Sequence, residues 1–214
     1  MLLVGLGLGA RVLLYDAGLL DVEEVRVAGA ATVPEADVRD AAAVPPGGPL
    51  AAVDTAAVAT RVARLPPVES VQVDRSWPHT VTVTITERVP VAAVTTPQGP
   101  ALVDRTGVVY RGAGPPDLPH LTTPPRSGDP ATVAAVAVLA SLPDTLRAQV
   151  DSAGATVAVP GARGQVTLVM AGGEEVLWGD PERATEKAAA LSALLTQPGT
   201  VYDVTSPDLP TIRR

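Results

Sequence analysis

The sequence predicts an α+β protein in which a membrane-anchoring helix precedes a β-α-α-β-β domain and a β-rich second domain with an antiparallel sheet and flanking helices. The clearest observation is an unbroken alternation, in which Val81, Val83 and Ile85 face one way and the intervening threonines the other. This period of two residues is typical of a strand with one buried face. The chain also has 19 glycines and 22 prolines among 214 residues, which predicts many turns and few long helices.

Composition excludes several classes of function. The net charge is −7 and the chain has no basic run, so we expect no nucleic-acid partner. The absence of cysteine excludes disulfides, thiol catalysis and cysteine-bound zinc. Phenylalanine is absent too, and Trp77 and Trp178 are therefore expected to be the only large side chains in cores built from Val, Leu, Ala and Ile. No pattern in the sequence indicates a cofactor.

The first twenty residues are apolar except for Arg11 and Asp16. A helix of this length would be about 30 Å long, enough to cross the hydrocarbon core of a bilayer. With no basic segment in front of it and no small-residue cleavage site, a signal peptide fits poorly. We expect residues 1–20 to be the outer end of a membrane span whose basic cytoplasmic flank lies upstream of Met1. The alternative is an amphipathic helix packed on the protein.

The glycines of Gly5–Ala10 have the G-x-G spacing of a dinucleotide site, but such a site needs a preceding strand. Nothing in this sequence precedes them, and small residues in a membrane helix explain them better.

Residues 21–90 are predicted to form the first domain. Thr32 and Glu35 match a capping box for a helix that runs to about Ala43. Asp54 is expected to cap a second helix. The remaining predicted elements are a strand at Val22–Ala28, the second helix at Thr55–Arg64, and a hairpin of two strands around Val71–Val73 and Thr80–Thr86 with its turn at Arg75–His79. Since each helix is too short to be stable alone, both are expected to pack on the apolar face of the strands.

This order resembles that of a POTRA domain. The string LPPVESVQVDRSWPHTV at Leu65–Val81, with ERVPVA at Glu87–Ala92, resembles the pattern LPxVxxAxVxRxWPxTLxIxVxERxPxA of the FtsQ/DivIB family of bacterial cell-division proteins. It departs from that pattern at Val71 and Val81 in side-chain size. The composition suits an actinobacterial member.

The second domain is predicted to span residues 91–214. Its predicted elements are a turn at Thr95–Pro100, a hairpin at Ala101–Tyr110, helices at Asp129–Leu142 and Thr145–Gln149, strands at Ala155–Val159, Gln165–Met170 and Glu174–Trp178, a helix capped by Asp180 with Pro181 in its first turn, and a strand at Thr200–Pro207.

Three side chains in this domain are of types that also serve in catalysis. Asp104 begins an Asp-Arg-Thr-Gly stretch, which we interpret as a hairpin turn because no second carboxylate follows at a fixed spacing. His120 has no partner placed near it. Lys187 falls on the inner face of the predicted last helix. We interpret it as a lysine that buries its aliphatic stem and extends its ammonium group to solvent, and not as a nucleophile.

The resemblance implies a non-enzymatic, single-pass scaffold of the divisome, with its domains outside the cytoplasm at the septum. Its partners would be FtsB/DivIC and FtsL, and the septal peptidoglycan synthase complex is a further candidate. The last predicted strand would bind the partner as an open sheet edge, with Tyr202, Val204 and Ser206 making side-chain contacts. The predicted partner-binding residues are Val201, Tyr202, Asp203, Val204, Thr205, Ser206 and Pro207.

Two other functions compete with this one. POTRA domains also serve in protein transport and secretion, but that class normally continues into a β-barrel whose strands are missing from this sequence. A hydrolase or nucleotide-binding enzyme would need a motif that the sequence lacks.

Overall fold

The structure, a computed structural model, describes residues 20–112, 114–115, 117–126, 128–159 and 161–214. The expected membrane anchor and the Gly5–Ala10 motif lie outside the described residues, except for Leu20. Within the described part of the chain, no helix combines the length and the apolar character needed to cross a membrane. The chain folds as two compact units, with the boundary between Arg88 and Val89. The sequence analysis placed this boundary between residues 90 and 91.

The first unit is a three-stranded sheet with two helices. Its elements are β1 (Glu24–Ala28), α1 (Glu35–Ala42), a 3₁₀ turn (Leu50–Ala52), α2 (Thr55–Val62), β2 (Val68–Ser76) and β3 (Thr80–Glu87). Strand β3 lies in the middle, parallel to β1 and antiparallel to β2. The predicted β-α-α-β-β order is therefore confirmed. The predicted face of β3 is confirmed as well, since Val81, Val83 and Ile85 are all buried with the apolar side chains of the helices.

One helix start in this unit was predicted correctly and the other was not. The Asp54 carboxylate caps α2 by accepting a hydrogen bond from Ala57 N at 3.0 Å. The capping box at Thr32 is wrong, because α1 begins after Pro34 without a side-chain cap. The Thr32 hydroxyl instead donates to Glu87 Oε2 at 2.5 Å.

The Glu87 carboxylate, at the end of β3, binds the loop that leads into α1. It accepts hydrogen bonds from the backbone N–H groups of Ala31, Thr32 and Val33 at 2.7–2.9 Å. Partial burial by itself would raise its pKa, but the hydrogen bond from Thr32 and those from the three backbone N–H groups lower the pKa from 4.5 to about 2. The carboxylate thus joins the two ends of the first unit and is ionised at neutral pH.

The second unit is organised around a nine-stranded sheet. Its strands are β4 (Pro90–Thr96), β5 (Gly99–Asp104), β6 (Val109–Tyr110), β7 (His120–Leu121), β8 (Val150–Thr156), β9 (Gln165–Met170), β10 (Glu175–Gly179), β11 (Val201–Asp203) and β12 (Thr211–Arg213). The helices are α3 (Pro130–Ser141), α4 (Asp144–Arg147) and α5 (Ala184–Leu194). The order across the sheet is β12-β11-β10-β9-β8-β7-β4-β5-β6.

The sheet is mixed, so the prediction of an antiparallel sheet is wrong in part. Strands β4 and β7, β7 and β8, and β10 and β11 pair in parallel. A parallel pair needs a connection that returns the chain to the same end of the sheet, and helices provide it for two of these three pairs. Helices α3 and α4 connect β7 to β8, and α5 connects β10 to β11.

Two strands that the sequence analysis missed or misplaced, β4 and β8, contain irregular pairing. Strand β4 was not predicted, and β8 begins at Val150 whereas a start at Ala155 was predicted. In both strands the register shifts near the first residues, between Pro90 and Ala92 and between Val150 and Ser152. Such a bulge interrupts the alternation of side chains by which a strand is recognised in a sequence.

The two tryptophans differ in their surroundings. Trp178 is completely buried in the core of the second unit. Trp77 lies in the turn between β2 and β3 and is 51% exposed, so its predicted place in a core is wrong. A tight turn has only one side covered by the domain, and Trp77 is therefore left about half exposed.

We expect Glu87→Gln to destabilise the first unit at pH 7 by about 1.5–3 kcal/mol, the usual range for hydrogen bonds to a charged group. The pKa of Glu87 is lower in the folded state, so its contribution is complete above a pH of about 4.5 and is lost as the pH falls towards 2. Calorimetry of both proteins between pH 7 and pH 3 should show their melting temperatures converging at acid pH.

The control is Glu35→Gln, which removes an exposed ion pair with Arg39 on one helix face. Such pairs contribute about 0.3–0.5 kcal/mol, so this variant should melt close to the wild type. A difference between wild type and Glu87→Gln that stays constant down to pH 3 would contradict the role given to the carboxylate.

Candidate functional site: the edge of the second sheet

The predicted partner-binding segment lies at one side of the nine-stranded sheet. Its first three residues form β11, which runs parallel to β10. Glu175 N donates to Thr200 O at 3.0 Å, and Val204 N donates to Leu177 O at 3.0 Å. The rest of the segment, Val204–Pro207, lies outside the strand, so the strand is shorter than predicted.

Strand β11 is not the edge of the sheet, contrary to the sequence analysis. Strand β12 pairs antiparallel with it, with Tyr202 opposite Ile212. Despite the prolines at 207 and 210, the chain turns between Asp203 and Thr211 and forms one more short strand. The β-branched pair Thr211-Ile212 was the available signal. It was missed because three residues are too few to establish an alternation.

The side chains expected to contact a partner divide into buried and exposed groups. Tyr202 is 3% exposed and Val204 is completely buried, so both belong to the core. The Tyr202 hydroxyl donates to Gln197 O at 2.8 Å. Thr205 and Ser206 are exposed. Partner binding by Val201–Pro207 stays a prediction, and in this fold its two buried side chains hold the strand in place.

The free side of β12 presents the backbone of Ile212. The bonds from Glu175 and Val204 turn the backbone groups of Tyr202 towards β10, so those of Val201 and Asp203 face β12. Their partners Arg213 and Thr211 face β11, and the residue between them directs its N–H and C=O outward. Among the described residues no strand pairs with this side. The Ile212 side chain packs against the core.

A charged network holds the loop between β11 and β12. Arg183, immediately before α5, donates to both oxygens of Asp208 at 2.7 and 2.9 Å and also to Glu186. The hydrogen bonds that Arg183 donates to Asp208 and Glu186 raise the pKa of its guanidinium further, and they lower the pKa of both carboxyl groups. Within the loop, the Asp203 carboxylate accepts from Thr205 N at 3.0 Å and from its hydroxyl at 2.7 Å.

Helix α5 is held against the sheet by a buried lysine. Two predictions are corrected here. Asp180 does not cap the helix, which begins at Ala184 after Arg183, and Lys187 does not extend to solvent. The Lys187 ammonium, with the side chain 3% exposed, donates to the Asp180 carbonyl at 2.8 Å and to its carboxylate at 3.1 Å. Partial burial would raise the pKa of Asp180, but Lys187 and the backbone N–H of Glu182 lower it.

The other two side chains of catalytic type are placed apart from this edge. The Asp104 carboxylate is buried and accepts from Thr106 N, the Thr106 hydroxyl and Val108 N at 2.7–3.0 Å, so the turn interpretation is confirmed. His120 is exposed on β7. In the part of the chain that the structure describes, no group of three His, Asp or Glu side chains is arranged to hold a metal ion.

Comparison with known families agrees with this two-unit architecture. A family model described as "POTRA domain, FtsQ-type" matches residues 20–88. A second, described as "Cell division protein FtsQ/DivIB, C-terminal", matches residues 92–209. The chain belongs to the FtsQ/DivIB family. The resemblance noted in the hairpin motif is thereby confirmed.

Curated relatives of this FtsQ/DivIB chain are named Cell division protein FtsQ. That of Mycolicibacterium smegmatis is 46% identical over 100% of this chain and 62% of its own length. That of Mycobacteroides abscessus is 44% identical over 99% of this chain and 66% of its own. The relative from Streptomyces bingchenggensis is 38% identical over 97% and 81%. The chain thus spans somewhat less than two thirds of the mycobacterial relatives, and most relatives are actinobacterial, as the composition suggested.

We expect the two members of the buried ion pair to respond differently to substitution. Asp180→Ala leaves the Lys187 ammonium buried without its carboxylate and should cost about 3–5 kcal/mol of unfolding free energy. Lys187→Met fills the same space with an apolar side chain and leaves Asp180 partly in solvent, so it should cost much less. Urea denaturation monitored through Trp178 measures both.

The double variant Asp180→Ala/Lys187→Met provides the control. It should recover most of the stability that Asp180→Ala loses, because no charge is then left buried. If Lys187→Met alone lowers the unfolding free energy as much as Asp180→Ala does, the lysine stabilises the fold by more than neutralising the Asp180 carboxylate.

Proposed function

We propose that this chain is the extracytoplasmic part of a non-enzymatic, single-pass scaffold of the divisome that joins cell-division proteins at the septum. In this proposal residues 1–20 belong to the membrane anchor, 21–90 form the POTRA domain and 91–214 the β domain. Its partners are FtsB/DivIC and FtsL, with the septal peptidoglycan synthase complex as a further candidate. Family membership and the apolar sequence of residues 1–20 support this assignment.

The observation that carries the binding mode is the free edge of β12. An edge strand offers unpaired N–H and C=O groups, and an extended segment of another protein can add to it as a further strand. In this binding mode Val201–Pro207 forms β11 and the start of the loop that leads to the edge strand β12. Because Arg213 and Arg214 are exposed next to it, an acidic residue in the partner strand would be favoured.

The chemistry of the second unit also supports a scaffold over an enzyme. Asp104 and Lys187, two of the three side chains weighed as catalytic candidates, have their hydrogen bonds within the fold. Protein transport remains the alternative for a POTRA domain. It is less well supported, because the region that follows matches the FtsQ/DivIB C-terminal model.

We expect Ile212→Pro to weaken binding of the extracytoplasmic segment of the FtsB/DivIC partner by about tenfold or more, since it removes the outward N–H and places a ring where the partner strand would lie. Proline is tolerated on an edge strand, so β12 should remain paired with β11. Isothermal calorimetry with the purified partner segment gives the affinity.

Ile212→Ala is the matched control, because it removes more of the side chain than proline does while keeping the N–H. It should bind nearly as well as the wild type, and circular dichroism should show all three proteins folded. Equal affinities for Ile212→Pro and the wild type would rule out strand addition at this edge. Substituting Val204 would be a poorer test, since its N–H is bonded to Leu177 within the fold.

A further inference from the structure

The turn between β2 and β3 contains Trp77, a large aromatic side chain on the surface of the first unit. Trp77 is 51% exposed, whereas Trp178, the other tryptophan of the chain, is completely buried. A single exposed apolar side chain is common on a protein surface and does not by itself indicate a contact. Trp77 is of interest because of its position relative to the segment that connects residues 1–19 to the first unit.

The turn is bonded to the segment that connects the first unit to residues 1–19. His79 Nδ1 lies 3.2 Å from Asp21 O, and His79 O accepts hydrogen bonds from Glu23 N at 2.9 Å and Glu24 N at 3.3 Å. Since consecutive Cα atoms are about 3.8 Å apart, Trp77 lies within about 8 Å of His79. The exposed indole is therefore at the same end of the unit as Asp21.

The opposite side of this connecting segment is fixed as well. Leu50 N donates to Leu20 O at 2.9 Å, and Val22 N donates to Gly48 O at 2.8 Å. Leu20 is the last residue of the apolar stretch, and it is bonded directly to the folded unit. Because Leu20 and Asp21 are both bonded to the first unit, whatever surrounds Leu20 is also close to Trp77.

We propose that the indole of Trp77 inserts into the headgroup region of the bilayer that holds residues 1–20 and thereby sets the orientation of the first unit on the membrane. This inference rests on the anchor proposed above. A tryptophan suits this depth, because its ring is apolar while its N–H can reach water or a lipid headgroup. The rest of the turn, Pro78 and His79, supplies the rigid support.

The charges near the turn indicate how this contact works. Asp21, Glu23 and Glu24 belong to the segment bonded to it, and Glu23 Oε1 lies 3.7 Å from His79 Nδ1. Carboxylates are repelled by anionic headgroups, so attraction between opposite charges cannot drive the contact. The indole itself must provide it, and we expect the contact in vesicles of phosphatidylcholine alone.

The test uses the intrinsic fluorescence of the full chain in phosphatidylcholine vesicles whose acyl chains are brominated near the headgroup. Bromine quenches indoles that lie in the bilayer, and Trp178 is too deeply buried to respond. The emission of wild type minus that of Trp77→Phe isolates the Trp77 signal without altering the core. We expect brominated lipid to quench most of this signal and aqueous iodide to quench little of it.

A second variant, Trp77→Phe/Thr86→Trp, moves the exposed indole to the far end of β3. Thr86 is exposed and lies six residues from Thr80, a distance of about 20 Å along the strand. Its indole should be quenched by iodide and not by brominated lipid.

Flotation of the same vesicles separates the two proposals. If the protein floats and its Trp77 signal responds to iodide but not to bromine, the anchor stands and the Trp77 contact is wrong. If the protein does not float, both fail. Protection of Trp77 only after a protein partner is added, with no quenching by bromine, would also overturn the lipid contact and assign the turn to that partner.

Discussion

The backbone of β11 is hydrogen-bonded on both sides, and the arrangement of the second unit's C-terminal part depends on that. Pairing with β10 requires a parallel strand, so the chain has to cross the sheet through α5 before it can return. Pairing with β12 requires a reversal of direction, which the loop bonded by Arg183 and Asp208 provides. Tyr202 and Val204 are buried as a consequence, because a strand between two others directs alternate side chains into the core.

Three ionised side chains among the described residues bind backbone N–H or C=O groups of loops. Glu87 accepts hydrogen bonds from the loop before α1, and Asp104 closes the turn between β5 and β6. Lys187 donates to the carbonyl of Asp180 before α5. Each of these groups joins a loop to a regular element, and the cost of its desolvation is offset by several charge-assisted bonds.

Local features of the structure were predictable where the interacting residues are close in sequence. The cap formed by Asp54, which was predicted from the sequence, bonds to Ala57 N three residues later, and Asp129 caps α3 through Thr132 N in the same way. The caps assigned to Thr32 and Asp180 failed. Thr32 is bonded to Glu87, a carboxylate 55 residues away, and Asp180 is engaged by Lys187 seven residues later. In both cases tertiary contacts offered a stronger partner than the local one.

The sequence by itself determined the family, the order of elements in the first unit and the buried face of β3, because a hairpin motif and a period of two residues can be recognised from residues that follow one another in the chain. Only the tertiary structure decided which strand forms the edge of the second sheet. That choice depends on hydrogen bonds between strands that are separated along the chain. A three-residue strand after two prolines is too short to be recognised from its sequence pattern. The exposure of Trp77 also depends on the tertiary structure, since the ring of a residue in a turn is buried only where other parts of the chain pack over it.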